Sequence, residues 1–147
     1  MSRRRVVVTG LGVVAPNGIG IEPFWDALIA GRSGIGPITF FDASRFRSRI
    51  AGEVRDFVPE RYMSAKTAKR SARFARLGIA AALEALKHAG IGVLAGEEGA
   101  RAAVVLGSGI GAFDMFEEEH EAFLTKGPGR FHPLTVPMTQ LSQTTSL

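Results

Sequence analysis

Arg4-Arg5-Val6-Val7-Val8-Thr9-Gly10-Leu11-Gly12-Val13-Val14-Ala15 is the stretch on which the fold turns. A run of β-branched residues, Val6 to Thr9, closed by glycine, predicts a short strand buried on both faces over Arg4 to Thr9. Gly10 to Gly20 then holds four glycines and Pro16-Asn17-Gly18, which predicts a loop. The same order returns downstream. Ala102 to Leu106 predicts a second buried strand, running into Gly107-Ser108-Gly109-Ile110-Gly111. Helical patterns separate these strands, and such alternation predicts an α/β domain with a largely parallel sheet.

The first helical pattern runs from Glu22 to Ala30, with Phe24, Trp25, Leu28 and Ile29 at helical spacing and Gly31 as its stop. Ser33 to Phe57 reads as loop, with one strand near Ile50–Val54. A long helix is predicted from Ser64 to Ala89, ending before Gly90, with Phe74, Leu77, Ala81, Leu83 and Leu86 on a shared buried side. Its lysines and arginines crowd the first half, where the helix dipole favours acids instead. A further helix is predicted from Phe113 to Leu124, then a broken loop from Gly127 to Pro137. Trp25 and the 10 phenylalanines are expected in the core.

With 46% hydrophobic and 22% charged residues over 147 positions, the chain has the balance of one globular domain. Its net charge of +4 is concentrated at Arg3-Arg4-Arg5 and from Lys66 to Arg76, which suits an acidic partner. The count of cysteines is 0, so this chain forms no disulfide, thiolate metal site or cysteine nucleophile. No apolar run approaches the roughly 18–20 residues that span a bilayer. Val6-Val7-Val8 is too short for a signal-peptide core. These readings predict a cytoplasmic chain without a membrane partner.

Several motifs invite sharper readings. Gly10-Leu11-Gly12-Val13-Val14-Ala15 fits the dinucleotide fingerprint, whose chemistry needs a helix N-terminus directly behind the glycines. Here Pro16-Asn17-Gly18 intervenes and the helical pattern begins only near Glu22, so nicotinamide or flavin binding is disfavoured. Gly107 to Gly111 lacks the lysine and hydroxyl of a phosphate-gripping loop. Glu117-Glu118-Glu119-His120-Glu121 has no second histidine nearby and reads as a solvated helix face, leaving no metal site. His88 suits a helix C-terminus, and neither it nor His132 has a nucleophile beside it. Lys66, Lys69, Arg70, Arg73 and Arg76 could track phosphates, but no nucleic-acid-binding motif accompanies them, and no nucleic-acid partner is expected.

Taken together, the segments resemble the elongating β-ketoacyl-acyl-carrier-protein synthases, of the type II elongating ketosynthase class. The matching pieces are Arg4 to Gly12, Phe24-Trp25-Asp26-Ala27-Leu28 leading to Gly31-Arg32-Ser33-Gly34-Ile35, and Gly107 to Gly111. Gly127-Pro128-Gly129-Arg130 and Pro133-Leu134-Thr135-Val136-Pro137 complete the set. The resemblance implies an incomplete thiolase-like α/β half with a mixed, mainly parallel sheet. It spans residues 1–138 as a ketosynthase N-terminal segment, with 139–147 a divergent polar tail. Ala72 departs from the family, standing where many relatives carry an aspartate.

The activity implied is decarboxylative condensation of acyl thioesters with malonyl-carrier protein, in fatty-acid or polyketide synthesis. A cysteine would take the acyl group and two histidines would assist decarboxylation. None of these three maps onto this chain, so the expectation is a truncated 3-oxoacyl-acyl-carrier-protein synthase that is inactive alone. The alternative is a non-catalytic ketosynthase-like partner or binding module. The resemblance assigns Lys66, Lys69, Arg70 and Arg130 to docking of the acidic acyl carrier protein. It assigns Ile110 and Thr135 to the acyl pocket. It implies a homodimer in intact members, and no resident cofactor, since phosphopantetheine arrives on the carrier.

Overall fold

The computed structural model describes residues 4–139. It comprises two compact units. One combines the described residues through Phe57 with Ala81–Val93; the other combines Val58–Ala80 with the described residues from Leu94 onward.

The first unit opens on a glycine-rich stretch that turns into a tight antiparallel hairpin, β1 (Val14–Ala15) and β2 (Gly18–Ile19), with Val14 opposite Ile19. Helix α1 (Ile21–Ile29) follows. It stops where the sequence predicts: Gly31 adopts φ 63°, and its N–H donates to the Leu28 carbonyl while that of Arg32 donates to Ala27. A second hairpin pairs β3 (Ile35–Pro37) with β4 (Ile50–Gly52), Gly36 lying opposite Ala51.

In the second unit, a 3₁₀ turn (Pro59–Arg61) leads into the short helix α2 (Ala65–Lys69). Helix α4 (Gly96–Ala100) and helix α5 (Phe113–Lys126) come later in the chain. A 3₁₀ turn (Pro128–Arg130) and helix α6 (Thr135–Thr139) both pack on α5. Of the tail predicted at 139–147, Thr139 closes α6; residues 140–147 lie outside the described residues.

The long helix predicted from Ser64 to Ala89 is two helices, α2 and α3 (Arg73–His88). Ser71 divides them. Its hydroxyl donates to the Thr67 carbonyl at 2.8 Å, and the residue is 2% exposed. A buried hydroxyl that bonds backbone four residues back bends or ends a helix. Helix α3 then closes as predicted, at Gly90 with φ 68°, where the N–H groups of Gly90 and Ile91 cap the Lys87 and Leu86 carbonyls.

Two further expectations differ from the structure. Neither Arg4–Thr9 nor Ala102–Leu106 enters a ladder among the described residues, where both sheets are two-stranded and antiparallel. A strand is defined by ladder hydrogen bonds to a neighbour, and these stretches make none among the described residues. The core is also built differently. Its buried apolar residues are mostly alanines (Ala27, Ala68, Ala72, Ala75, Ala80 and Ala112 among them), while Trp25 is 58% exposed and Phe40, Phe41, Phe46, Phe113 and Phe116 stand out in solvent. Alanine lets backbones approach closely, and large rings fit poorly at such spacings.

Candidate functional site

The cations of α2 owe their position to the helix that carries them. Ser64 caps its start, its Oγ accepting the Thr67 N–H at 3.1 Å, and buried Ala68 fixes its inner face. Lys66, Lys69 and Arg70 all remain exposed. Lys69 and Arg70 end α2 and so occupy a helix C-terminus, the end that favours positive charge. The break at Ser71 therefore relieves the dipole conflict for Lys69 and Arg70, whereas Arg73 and Arg76 fall at the N-terminal end of α3. No ion pair among the described residues engages these three side chains. Arg130 ends the 3₁₀ turn beside α5 and is exposed as well.

The two residues assigned to an acyl pocket differ sharply in environment. Ile110 is 77% exposed in the loop before α5, whereas Thr135, the first residue of α6, is 2% exposed. The Thr135 N–H donates to the His132 carbonyl at 3.0 Å, but its buried Oγ1 has no hydrogen-bond partner. The loop approaches α6 at Gly111, where a Cβ would lie 3.2 Å from the Thr139 carbonyl oxygen.

Each histidine has a local role. His88 Nδ1 accepts the Leu11 N–H at 3.0 Å, His120 stacks on Phe116, and His132 Nδ1 accepts the Leu134 N–H at 3.2 Å. None of these contacts pairs a histidine with a nucleophile. Among the described residues, no group of three or more metal-ligating side chains converges, and no helix is long and apolar enough to cross a membrane.

The dinucleotide fingerprint is occupied in packing. A Cβ on Gly10 would lie 2.3 Å from the Ala85 carbonyl oxygen, and one on Gly12 would lie 1.9 Å from that of Ala81. These glycines let their backbone rest against α3. They lead into β1, and the first helix begins only at Ile21.

Sequence reasoning missed two residues. Glu53, next after β4, accepts hydrogen bonds from the Thr39 N–H, the Thr39 hydroxyl at 2.8 Å and the Phe40 N–H, and pairs with Arg55 at 3.1 Å. Burial pushes its carboxyl up, but the Thr39, Phe40 and Arg55 donors outweigh that and hold it down to about 2. Arg55 also donates to the Pro37 carbonyl at 2.6 Å. The cluster ties the chain just after β4 to the end of β3 and the residues that follow it. The second is Leu11, whose N–H bonds His88, the residue read as suiting a helix C-terminus, across 77 positions of sequence.

Comparison with known proteins places this architecture. The sequence pattern of the family described as "Beta-ketoacyl synthase, N-terminal domain" matches residues 3–145. The chain is similar to 3-oxoacyl-[acyl-carrier-protein] synthase 2 of Vibrio cholerae serotype O1, 46% identical over 139 residues, covering 95% of this chain and 33% of that protein. It is 37% identical to the chloroplastic 3-oxoacyl-[acyl-carrier-protein] synthase I of Hordeum vulgare, over 92% of this chain and 30% of that one. Among solved structures, the ishigamide ketosynthase/chain length factor superposes with a TM-score of 0.81 at 30% identity, covering 97% of this chain and 36% of its own. A structure of a type II PKS acyl-carrier protein in complex with its ketosynthase bound to the hexaketide gives a TM-score of 0.71 at 18% identity, over 99% and 38%, a likeness of fold alone. The structural neighbours are thiolase-like ketosynthase chains, so the expected α/β fold class holds. The chain spans about a third of the length of the curated relatives it matches. By sequence pattern, by relatives and by backbone, the chain belongs to the β-ketoacyl synthase family, with the sequence of its N-terminal domain.

Proposed function

We propose that this chain is the carrier-docking portion of a 3-oxoacyl-[acyl-carrier-protein] synthase acting in fatty-acid or polyketide synthesis in the cytoplasm. Lys66, Lys69, Arg70 and Arg130 steer an acidic acyl carrier protein, whose phosphopantetheine arm brings the acyl group, so the chain needs no cofactor of its own. Ile110 and Thr135 approach the acyl chain, and the intact enzyme works as a homodimer. The observation carrying the reading is the group of exposed, unpaired cations on α2 in a chain of this family. With a cysteine count of 0, the chain has no thiol to accept the acyl group, and condensation by this chain alone is not expected.

The test is fluorescence anisotropy with a labelled acyl carrier protein at low salt. Exposed charge pairs are individually weak, so reversing three (K66E, K69E and R70E together) is expected to weaken binding by about tenfold or more. Binding that survives the triple reversal unchanged would refute carrier docking through α2.

A further inference from the structure

The 38–49 loop joins β3 to β4 and is built as a braced, exposed tip. Its ends meet where the Ile38 N–H donates to the Arg49 carbonyl at 2.9 Å, and the Phe46 N–H closes a turn on buried Ala43. Asp42 accepts the N–H and the hydroxyl of Ser44 on its two carboxylate oxygens, at 2.9 and 3.0 Å. The Arg49 guanidinium donates to the Ser44 carbonyl at 2.7 Å and to that of Phe46 at 3.3 Å. With the backbone held in this way, the outer side chains are displayed. Phe41 and Phe46 meet edge to face with ring centres 5.5 Å apart, yet are 55% and 56% exposed. Arg45 and Arg47 flank Phe46 in sequence, are exposed, and make no ion pair among the described residues. Pro37 and Ile50, opposite each other in the ladder at the foot of the loop, are exposed as well.

We propose that this loop is a membrane-contact site, seating Phe41 and Phe46 in the headgroup layer of an anionic lipid bilayer with Arg45 and Arg47 on the lipid phosphates. The loop carries three arginines against one aspartate, in a chain of net charge +4, so a negative surface attracts it. Rings beside arginines also supply what an interfacial contact needs: the rings bury apolar area while the guanidinium forks stay on phosphate. The bracing hydrogen bonds leave little to be ordered on binding. A nucleic acid fits less well, because two rings at 71° offer no parallel faces to successive bases. A protein partner fits less well too, since a single short loop falls below the about 800 Å² per side of a stable interface. A surface contact of this kind requires no spanning helix. It replaces the expectation of no membrane partner, which rested on the lack of a spanning run. All of its residues lie in the first unit and none belongs to the carrier-docking set, so the two readings are tested separately.

The full chain is mixed with vesicles of phosphatidylglycerol and phosphatidylcholine in equal parts, or of phosphatidylcholine alone, and bound protein is recovered by flotation. Binding is expected to the anionic vesicles only. Arg45→Gln with Arg47→Gln should lower the partition coefficient about 30-fold, from a roughly fivefold loss for each arginine removed from an anionic surface. Neither arginine is engaged within the fold, so the melting temperature of that pair should match the parent. Phe41→Ser with Phe46→Ser should lower partitioning by about tenfold or more. Arg101→Gln with Lys126→Gln removes the same charge from exposed positions of the second unit and should cost far less. Because the cysteine count is 0, Ser48→Cys accepts a single polarity-sensitive dye inside the loop, whose emission should shift to the blue on anionic vesicles. Equal binding to both vesicle types, binding indifferent to the arginine pair, or a dye that stays in a watery environment on bound vesicles would each overturn the proposal. So would tighter arginine-dependent binding to polyglutamate or to polyuridylate than to the vesicles.

Discussion

Replacing Gly12 with alanine tests whether the glycine motif serves packing. The added Cβ would lie 1.9 Å from the Ala81 carbonyl oxygen and 2.5 Å from the Ala85 nitrogen. Ordinary van der Waals contact lies at about 3.5 Å, so α3 and the glycine stretch must part by roughly 1.5 Å. The obstructing atoms are backbone and cannot rotate aside. Overpacking of this kind costs about 1–3 kcal/mol. The same displacement stretches the 3.0 Å bond from Leu11 to His88 past hydrogen-bonding range. Losing that bond adds roughly 0.5–1.5 kcal/mol, for about 1.5–4.5 kcal/mol together. At about 2–4 °C per kcal/mol for a chain of this size, Tm should fall by roughly 3–18 °C in scanning calorimetry. Gly92→Ala is the control, because nothing lies within 4 Å of its would-be Cβ and its φ is not positive. If Gly12→Ala melts with the parent, as Gly92→Ala should, the packing account of the motif is wrong.

Other expectations follow from the same structure. Because the folded Glu53 carboxyl is held at about 2, below its ordinary value of 4.5, its contribution to stability is complete above pH 4.5. That contribution is lost as pH falls toward 2. Glu53→Gln should therefore lower Tm at pH 7, and the gap to the parent should narrow on acidification; a constant gap from pH 7 to pH 3 would contradict the assignment. Thr135→Val deletes a buried hydroxyl that has no partner and should leave Tm unchanged or raise it, whereas a drop of several degrees would mean that the hydroxyl is satisfied. NADPH added in excess should neither quench Trp25 fluorescence nor raise Tm, since Gly10 and Gly12 are taken up against α3.

Much of the local structure is legible in the sequence because its causes are local. Gly31 and Gly90 end their helices as read, since a positive φ at each is a property of that residue and its immediate turn. Helix α5 begins at Phe113 as its spacing predicts. The break at Ser71 escaped because alanine-rich periodicity continues across it, and only the buried hydroxyl bond to Thr67 reveals it. Arg4–Thr9 and Ala102–Leu106 carry a strand's composition, but pairing depends on neighbours that composition does not specify.

At the candidate site, Lys66, Lys69 and Arg70 stand out as a charge cluster in the sequence, and they are exposed on one short helix. The Glu53 cluster was invisible because its donors at Thr39 and Phe40 lie 14 and 13 residues away. Its only sequence signal was an acid beside a short strand with arginine two positions on. The contact of Leu11 with His88 had no signal at all, because it requires that α3 already be packed beneath the glycines.

The most direct test of the account is a backbone NMR titration of the chain with phosphopantetheinylated acyl carrier protein at low and high salt. Carrier docking predicts shifts concentrated at Lys66, Lys69 and Arg70 that fade as ionic strength rises, because exposed charges are screened within about 10 Å at 0.1 M salt. An unperturbed α2 at low salt, or shifts indifferent to salt and centred elsewhere, would contradict it.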